Sequence, residues 1–224
     1  MSNTVAIVPM RHNSERVVGK NYRPLGGIPL YRHIVESLRK VTEIDLIVID
    51  TDSDLIIEDC GELFPFVTVL RRPEHLTDGA IAMNDVLLNT LGQIEADLVL
   101  QTHSTNPFLK PETISAALRR FRASDGECDS MFSVTRLQAR LWDSHQQPLN
   151  HDPSVLLRTQ DLEPLFIENS CFFIFPPKLL MEKRNRIGER PYLFEISATE
   201  AVDIDTEDDF ALARAIADGR SISI

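Results

Sequence analysis

The sequence predicts a three-layer α/β/α fold around a mostly parallel sheet. Two observations carry this. Through the first half, short β-rich apolar runs alternate with segments of helical periodicity, the pattern of repeated strand–helix units. The runs are also continuously apolar, as in Leu46-Ile-Val-Ile49, which suits strands covered on both faces. A length of 224 residues allows one domain with a single large core.

The elements follow in order. Val5–Val8 reads as a strand, followed by a long polar loop over Met10–Gly27. Pro29 suits a first helical turn, and Ile28, Tyr31, Ile34, Val35 and Leu38 recur at helical spacing. Leu46–Ile49 is the next strand, Leu55–Leu63 a helix, Val67–Leu70 a strand and Met83–Leu91 a helix. Leu98–Leu100 is again a strand, and Pro111–Phe121 a helix with its proline at the start. Met131–Val134, Ser170–Phe175 and Tyr192–Ile196 complete the strands, and Phe210–Ala217 closes the chain as a helix. Between them, Arg136–Asp161 breaks the pattern. It is polar, aperiodic and holds Trp142, so it is expected to be an excursion toward a partner subunit or over the site. Residues 1–224 are otherwise read as one domain.

Composition narrows the function. With 23 Lys+Arg against 34 Asp+Glu the net charge is −11, which disfavours nucleic acid and anionic membrane surfaces as partners. A small anionic substrate remains possible where cations cluster. Cys60, Cys128 and Cys171 are widely spaced and odd in number, without metal-ligand spacing or a disulfide framework; a reducing cytoplasm is expected. No run reaches the length of a membrane span, and the chain opens directly into its first strand, so no leader or membrane anchor is expected.

In open α/β sheets ligands bind beyond the carboxyl ends of the strands. The loops after Val8, Leu70 and Leu100 are therefore the places for chemistry. After Val8, the run Arg11–Asn21 gathers Arg11, Arg16 and Lys20 with small polar residues. Fixed cations and backbone N–H groups there could cradle a triphosphate; the alternative is a solvated loop. After Leu100 comes a polar cluster, Gln101-Thr-His-Ser-Thr-Asn-Pro107. His103 has no second histidine at metal spacing, so hydrogen bonding to a hydroxylated ligand is the better reading. Asp203 and Asp205 alternate, which puts both carboxylates on one side of an extended segment. Two carboxylates with phosphate oxygens and water make the ligand set that Mg²⁺ prefers. The acids from Thr206 onward are explained instead as a helix cap and first turn. Walker, dinucleotide-binding and nucleophile-elbow patterns are absent.

These residues together resemble the CMP-N-acetylneuraminate synthetase (acylneuraminate cytidylyltransferase) family over nearly the whole chain. The family's opening Ala-Arg-x-x-Ser-Lys-x-x-Pro-x-Lys-Asn is matched at Arg11, Ser14, Lys20 and Asn21. Arg23-Pro-Leu-Gly-Gly-Ile-Pro-Leu30, Thr51-Asp52, Arg72-Pro-x-x-Leu-x-Asp78, Arg158-x-Gln-x-Leu162 and Asp203-Ile-Asp-Thr-Glu207 follow in family order. The resemblance implies a nucleotidyltransferase (Rossmann-like) version of the three-layer fold and transfer of CMP from CTP to an acidic sugar, with release of pyrophosphate. It implies Arg11, Lys20 and Asp205 as catalytic residues. Arg11, Ser14, Arg16, Lys20, Asn21, Arg72 and Asp78 would bind the nucleotide, and Asp203 and Asp205 would bind Mg²⁺. Gln101, Arg158, Asn169 and Phe173 would face the acceptor. A homodimer joined through the excursion is also implied. Departures are Glu15 for a usual Lys, Val18 for a usual Pro, the expanded loop 101–107, and Phe173 where an aromatic hydroxyl is common. They bear on the acceptor more than on nucleotidyl transfer, leaving ketodeoxyoctonate, other nonulosonates, a phosphonate or a silent nucleotide-binding homologue as alternatives.

Overall fold

A computed structural model describes residues 3–220; residues 1–2 and 221–224 of the expected single domain lie outside it. The chain runs β1 (Thr4–Met10), β2 (Pro24–Leu25), β3 (Ile28–Pro29), α1 (Leu30–Leu38), β4 (Leu46–Thr51), α2 (Asp54–Leu63), β5 (Val67–Arg71) and α3 (Met83–Leu91). It continues through β6 (Leu98–Thr102), α4 (Pro111–Arg122), β7 (Ser130–Leu137), β8 (Leu165–Phe175), α5 (Pro177–Lys183), β9 (Pro191–Glu195) and α6 (Glu207–Arg220).

Seven strands form one sheet in the order β5-β4-β1-β6-β8-β7-β9. β5, β4, β1 and β6 are parallel neighbours, β7 and β9 are parallel, and β8 runs against both of its neighbours. Every residue of β1 is buried, because the sheet is covered on both faces. Ala6, Val8 and Met10 pack with Tyr31, Ile34 and Leu38 of α1, Ile56 and Cys60 of α2, and Ile114 and Leu118 of α4. Val5 and Ile7 point the opposite way, toward Leu87 and Leu91 of α3 and Leu180 of α5. Period-2 alternation thus feeds two cores from a single strand. A third cluster, with Val17, Leu25, Leu30, Ile204 and Phe210, docks α6 against the loop after β1.

The expected strands and helices are present, with differences at the edges. The loop after β1 contains a 3₁₀ turn, Lys20–Tyr22, and a two-stranded hairpin, β2–β3. Gly26 and Gly27 link that hairpin with φ of 55° and 89°, the left-handed pair a tight two-residue turn requires. Pro29 caps α1 rather than entering its first turn. Helix α5 has no counterpart in the sequence reading.

The excursion differs more. Arg136 and Leu137 continue β7, and β8 begins at Leu165, pairing Leu137↔Leu165 and Arg136↔Phe166. The two strands therefore extend past the sheet as a ribbon, and the irregular segment 138–164 is its tip. Inside the tip a single bridge joins Trp142 to Pro148, and Trp142 meets His151 edge-on at 5.1 Å.

Candidate active site

The loops beyond the carboxyl ends of β1, β5 and β6 enclose a cleft of about 560 Å³. The first loop contributes Arg11, Ser14, Arg16, Lys20 and Asn21; the second contributes Arg72 and Asp78; the third contributes His103, Ser104 and Thr105. All seven residues expected to bind nucleotide are therefore brought to one cavity, although they span 68 positions of sequence from Arg11 to Asp78.

Local bonds fix these side chains. The Asn21 amide donates to the Arg11 carbonyl at 2.7 Å and accepts from Ser104 Oγ at 2.7 Å, tying the first loop to the third. Arg72 is buried with a buried partner: its Nε donates to Asp50 Oδ1 at 2.5 Å, and Thr90 Oγ1 donates to Asp50 Oδ2 at 2.7 Å. A buried guanidinium needs such a carboxylate, so Asp50 is the residue that holds Arg72 at the cleft wall. Asp78 turns its own loop by accepting from Ala80 N at 2.8 Å.

The segment through Asp203 and Asp205 alternates as expected. Ile204 between them is fully buried in the α6 cluster, so the two carboxylates face the other way. Asp205 Oδ1 accepts from Arg16 Nη2 at 2.8 Å and lies 3.3 Å from Lys20 Nζ, which donates to the Ile204 carbonyl at 2.7 Å. Thr206 caps α6: its Oγ1 accepts from Asp209 N at 3.2 Å, and Asp209 Oδ2 returns to Thr206 N at 2.8 Å. Asp203 is different. Its Oδ1 is buried without a hydrogen-bond partner, and burial, with Asp205 nearby, raises its carboxyl above the usual range. An orphaned buried oxygen beside a second carboxylate fits a divalent cation. Among the described residues no group of three or more acidic, His or Cys side chains gathers to hold a metal, so phosphate oxygens and water would have to complete such a shell.

The acceptor side departs from expectation. Gln101 is at the end of β6 but fully buried, with its Oε1 taken by Arg186 Nη1 at 2.8 Å. Phe173 is fully buried opposite it in the sheet and lies under the same guanidinium, 3.7 Å from ring centre to Cζ. It presents no surface to a ligand, since Arg186 covers it. Asn169 is taken up by the β7–β8 irregularity, where Ser170 has a φ of 56°. Its Oδ1 accepts from Ser133 Oγ at 2.6 Å, and its Nδ2 donates to Thr135 Oγ1 at 2.9 Å. Arg158 lies on the ribbon tip, exposed and paired with Asp161 at 2.7 Å, and does not line the cleft. Sequence reasoning missed Arg186, because the stretch after α5 has no periodicity or motif to draw attention to it.

A cytidylyltransferase family profile matches residues 5–223. The chain belongs to the cytidylyltransferase family. It is 30% identical over 220 residues to CMP-N,N'-diacetyllegionaminic acid synthase of Legionella pneumophila, covering 93% of each protein. It is 28% identical over 217 residues to N-acylneuraminate cytidylyltransferase of Streptococcus agalactiae, spanning 92% of this chain but 51% of that one. Among solved structures, CMP:2-keto-3-deoxy-manno-octonic acid synthetase complexed with CTP superposes with a TM-score of 0.75 at 16% identity, covering 98% of this chain and 100% of that one. 4-Diphosphocytidyl-2C-methyl-D-erythritol synthase of Anaerococcus prevotii gives 0.71 at 15% identity, covering 97% and 96%. At those identities the likeness is one of fold, the nucleotidyltransferase version of the three-layer sheet. Among the described residues no helix is long and apolar enough to cross a membrane.

Proposed function

We propose that this protein transfers CMP from CTP to a hydroxyl of an acidic, sialic-acid-like sugar and releases pyrophosphate, in the cytoplasm and as a homodimer. The observation that carries the reading is the meeting of Arg16 and Lys20 with Asp205 at a cleft that also holds Arg11. That concentrates cations in a chain of net charge −11, as a triphosphate site demands. The two sequence relatives named above carry an acidic sugar in their names, legionaminic acid and N-acylneuraminate.

In this mechanism the acceptor hydroxyl oxygen attacks the α-phosphorus in line, its proton passes to solvent water, and the bond to the bridging oxygen of the leaving pyrophosphate breaks. Arg11 and Lys20 hold the phosphates and take up the charge that builds on the leaving group. The Ile204 carbonyl and Asp205 steer the Lys20 ammonium, so its position is set before nucleotide arrives. Asp203 and Asp205 are the residues that would hold Mg²⁺, which when bound neutralises phosphate charge. Asn21 and Arg72, each braced by a buried or half-buried partner, form the wall for the nucleoside.

The dimer is supported by the ribbon tip. Leu156 is 91% exposed, and Leu149, Val155, Leu157, Phe166 and Ile167 are exposed on the same arm. An apolar patch of that kind on a projecting arm suits a subunit contact. Arg158, on the same arm, then serves the partner's acceptor pocket. The three cysteines are buried free thiols, as suits a reducing compartment.

Pyrophosphate release with CTP and a panel of acidic sugars tests the activity. Turnover of at least one nine- or eight-carbon keto acid is expected, and none with neutral sugars. Equal turnover of neutral sugars would refute the acidic acceptor.

A further inference from the structure

We propose that Arg186, on the loop between α5 and β9, is the receptor for the acceptor's carboxylate. The inference rests on the reading that the acceptor is acidic, and adds the residue that recognises the acid.

The position comes from the sheet. β6 lies between β1 and β8. The cation loop that would hold phosphates follows β1, on one side of β6. On the other side, Gln101 of β6 pairs in register with Phe173 of β8, and Arg186 lies over that pair. His103, two residues beyond Gln101, lines the cleft. A ligand spanning His103 would thus have its phosphate-facing end at Lys20 and its other end at Arg186. Both cations act on the imidazole: burial first, then the charges of Arg186 and Lys20, push His103 down to about 4. Its Nε2 is buried without a hydrogen-bond partner, so the cleft wall between the two cations carries an unused polar atom.

The guanidinium is built to receive an anion. It stacks on the fully buried Phe173 ring, which shields one face, and gives one of its five N–H groups to Gln101. Among the described residues no carboxylate lies within ion-pair distance of it. Arg72, which is buried, has Asp50. Burial pulls Arg186 down to about 10, against a longer-range pull from Glu168, so it is still a cation at neutral pH. A half-buried, charged, unpaired fork is a costly arrangement in a free protein. A planar carboxylate matches that fork bidentately.

The loop is also held still. Asn84 Nδ2 donates to the Arg184 carbonyl at 3.0 Å, and Arg184 pairs with Asp85 at 2.7 Å. On the far side, Gly188 N donates to Ser130 Oγ at 2.8 Å, and the Asp129 carboxylate accepts from Glu189 N at 2.9 Å and Arg190 N at 3.1 Å. A Cβ on Gly188 would collide with that carboxylate, so only glycine allows this approach. Binding sites need such support to keep a donor in place.

The test uses whichever of N-acetylneuraminic, legionaminic and ketodeoxyoctonic acids the parent turns over best, together with its methyl ester. Arg186→Gln keeps a donor for Gln101 and removes the charge. The variant is expected to raise the acceptor KM roughly a hundredfold, with the CTP affinity measured by calorimetry unchanged. The parent should prefer the acid to its ester strongly, and the variant should prefer it little. Arg186→Lys, which restores charge without the fork, should recover part of the loss. Unchanged acceptor KM in Arg186→Gln, or an acid-over-ester preference as large as the parent's, overturns the proposal. Lost CTP affinity with an intact melting temperature does so too, by assigning Arg186 to the nucleotide. A parent that turns over none of the acids refutes the acidic acceptor itself, a failure read before any variant is made.

Discussion

Asp205 sits between two cations, and removing its charge isolates what it does. Asp205→Asn should leave the melting temperature within a few degrees of the parent, because the side chain is 41% exposed and its ion pairs are at the surface of the cleft. Turnover should fall by roughly a hundredfold or more if the carboxylate holds the ion. A variant with parental turnover would remove Asp205 from the mechanism. His103 offers a prediction on pH. Its folded pKa is about 4 against an ordinary 6.5, so between those values the unfolded chain takes up a proton that the folded one refuses. Stability should therefore decline as pH falls through that window, by at most about 3–4 kcal/mol from this residue. Denaturant unfolding at several pH values should show a shallower acid loss in His103→Gln. An identical pH slope would mean the imidazole titrates normally. At this scale the sequence was readable where function is written locally: Arg11, Lys20 and Asn21 share one loop, and Ile204 separates two acids by strand alternation. Asp50 was not readable as the partner of Arg72, because only the register of β4 with β5 brings residues 22 positions apart together.

Helices and strands were legible in proportion to their periodicity. α3 and α4 begin where their patterns begin, Pro111 marking the second. α5 was missed because seven residues, two turns, are too few to establish a period. The N-terminal half of β8 was missed because Leu165-Phe-Ile-Glu168 is exposed, so no burial pattern marks it as strand. The same limit hid Arg186, whose loop is organised by a distant acid. Asp129→Ala should release that loop. Two backbone N–H groups and the Ser130 hydroxyl lose their acceptor, and a loss of about 1–2 kcal/mol is expected by urea unfolding. Burial pushes the Asp129 carboxyl up, but these donors leave it below the usual range. Unchanged stability in Asp129→Ala would show that the loop holds its shape without this clasp.

For the whole molecule, the exposed ribbon predicts association. Light scattering at micromolar concentration should give about twice the 25.4 kDa of one chain; Leu156→Asp with Ile167→Asp should give one. A parent that stays monomeric with full activity would refute both the dimer and the service of Arg158 to a partner site. The ribbon has a further consequence, for how the chain reaches this state. Past Val134 on β7 and Glu168 on β8, neither strand has another neighbour in the sheet among the described residues. Two strands alone are marginal in water, and bare edges invite further pairing. In the proposed dimer the ribbon gains its cover only when a second chain arrives. The last step of folding is then second order in protein, and its half-time shortens as refolding chains are made more concentrated. The same bare edges stay uncovered longest in dilute solution, but mispairing with another chain is slowed there equally, so fit between the two ribbons, not dilution, decides which pairing wins.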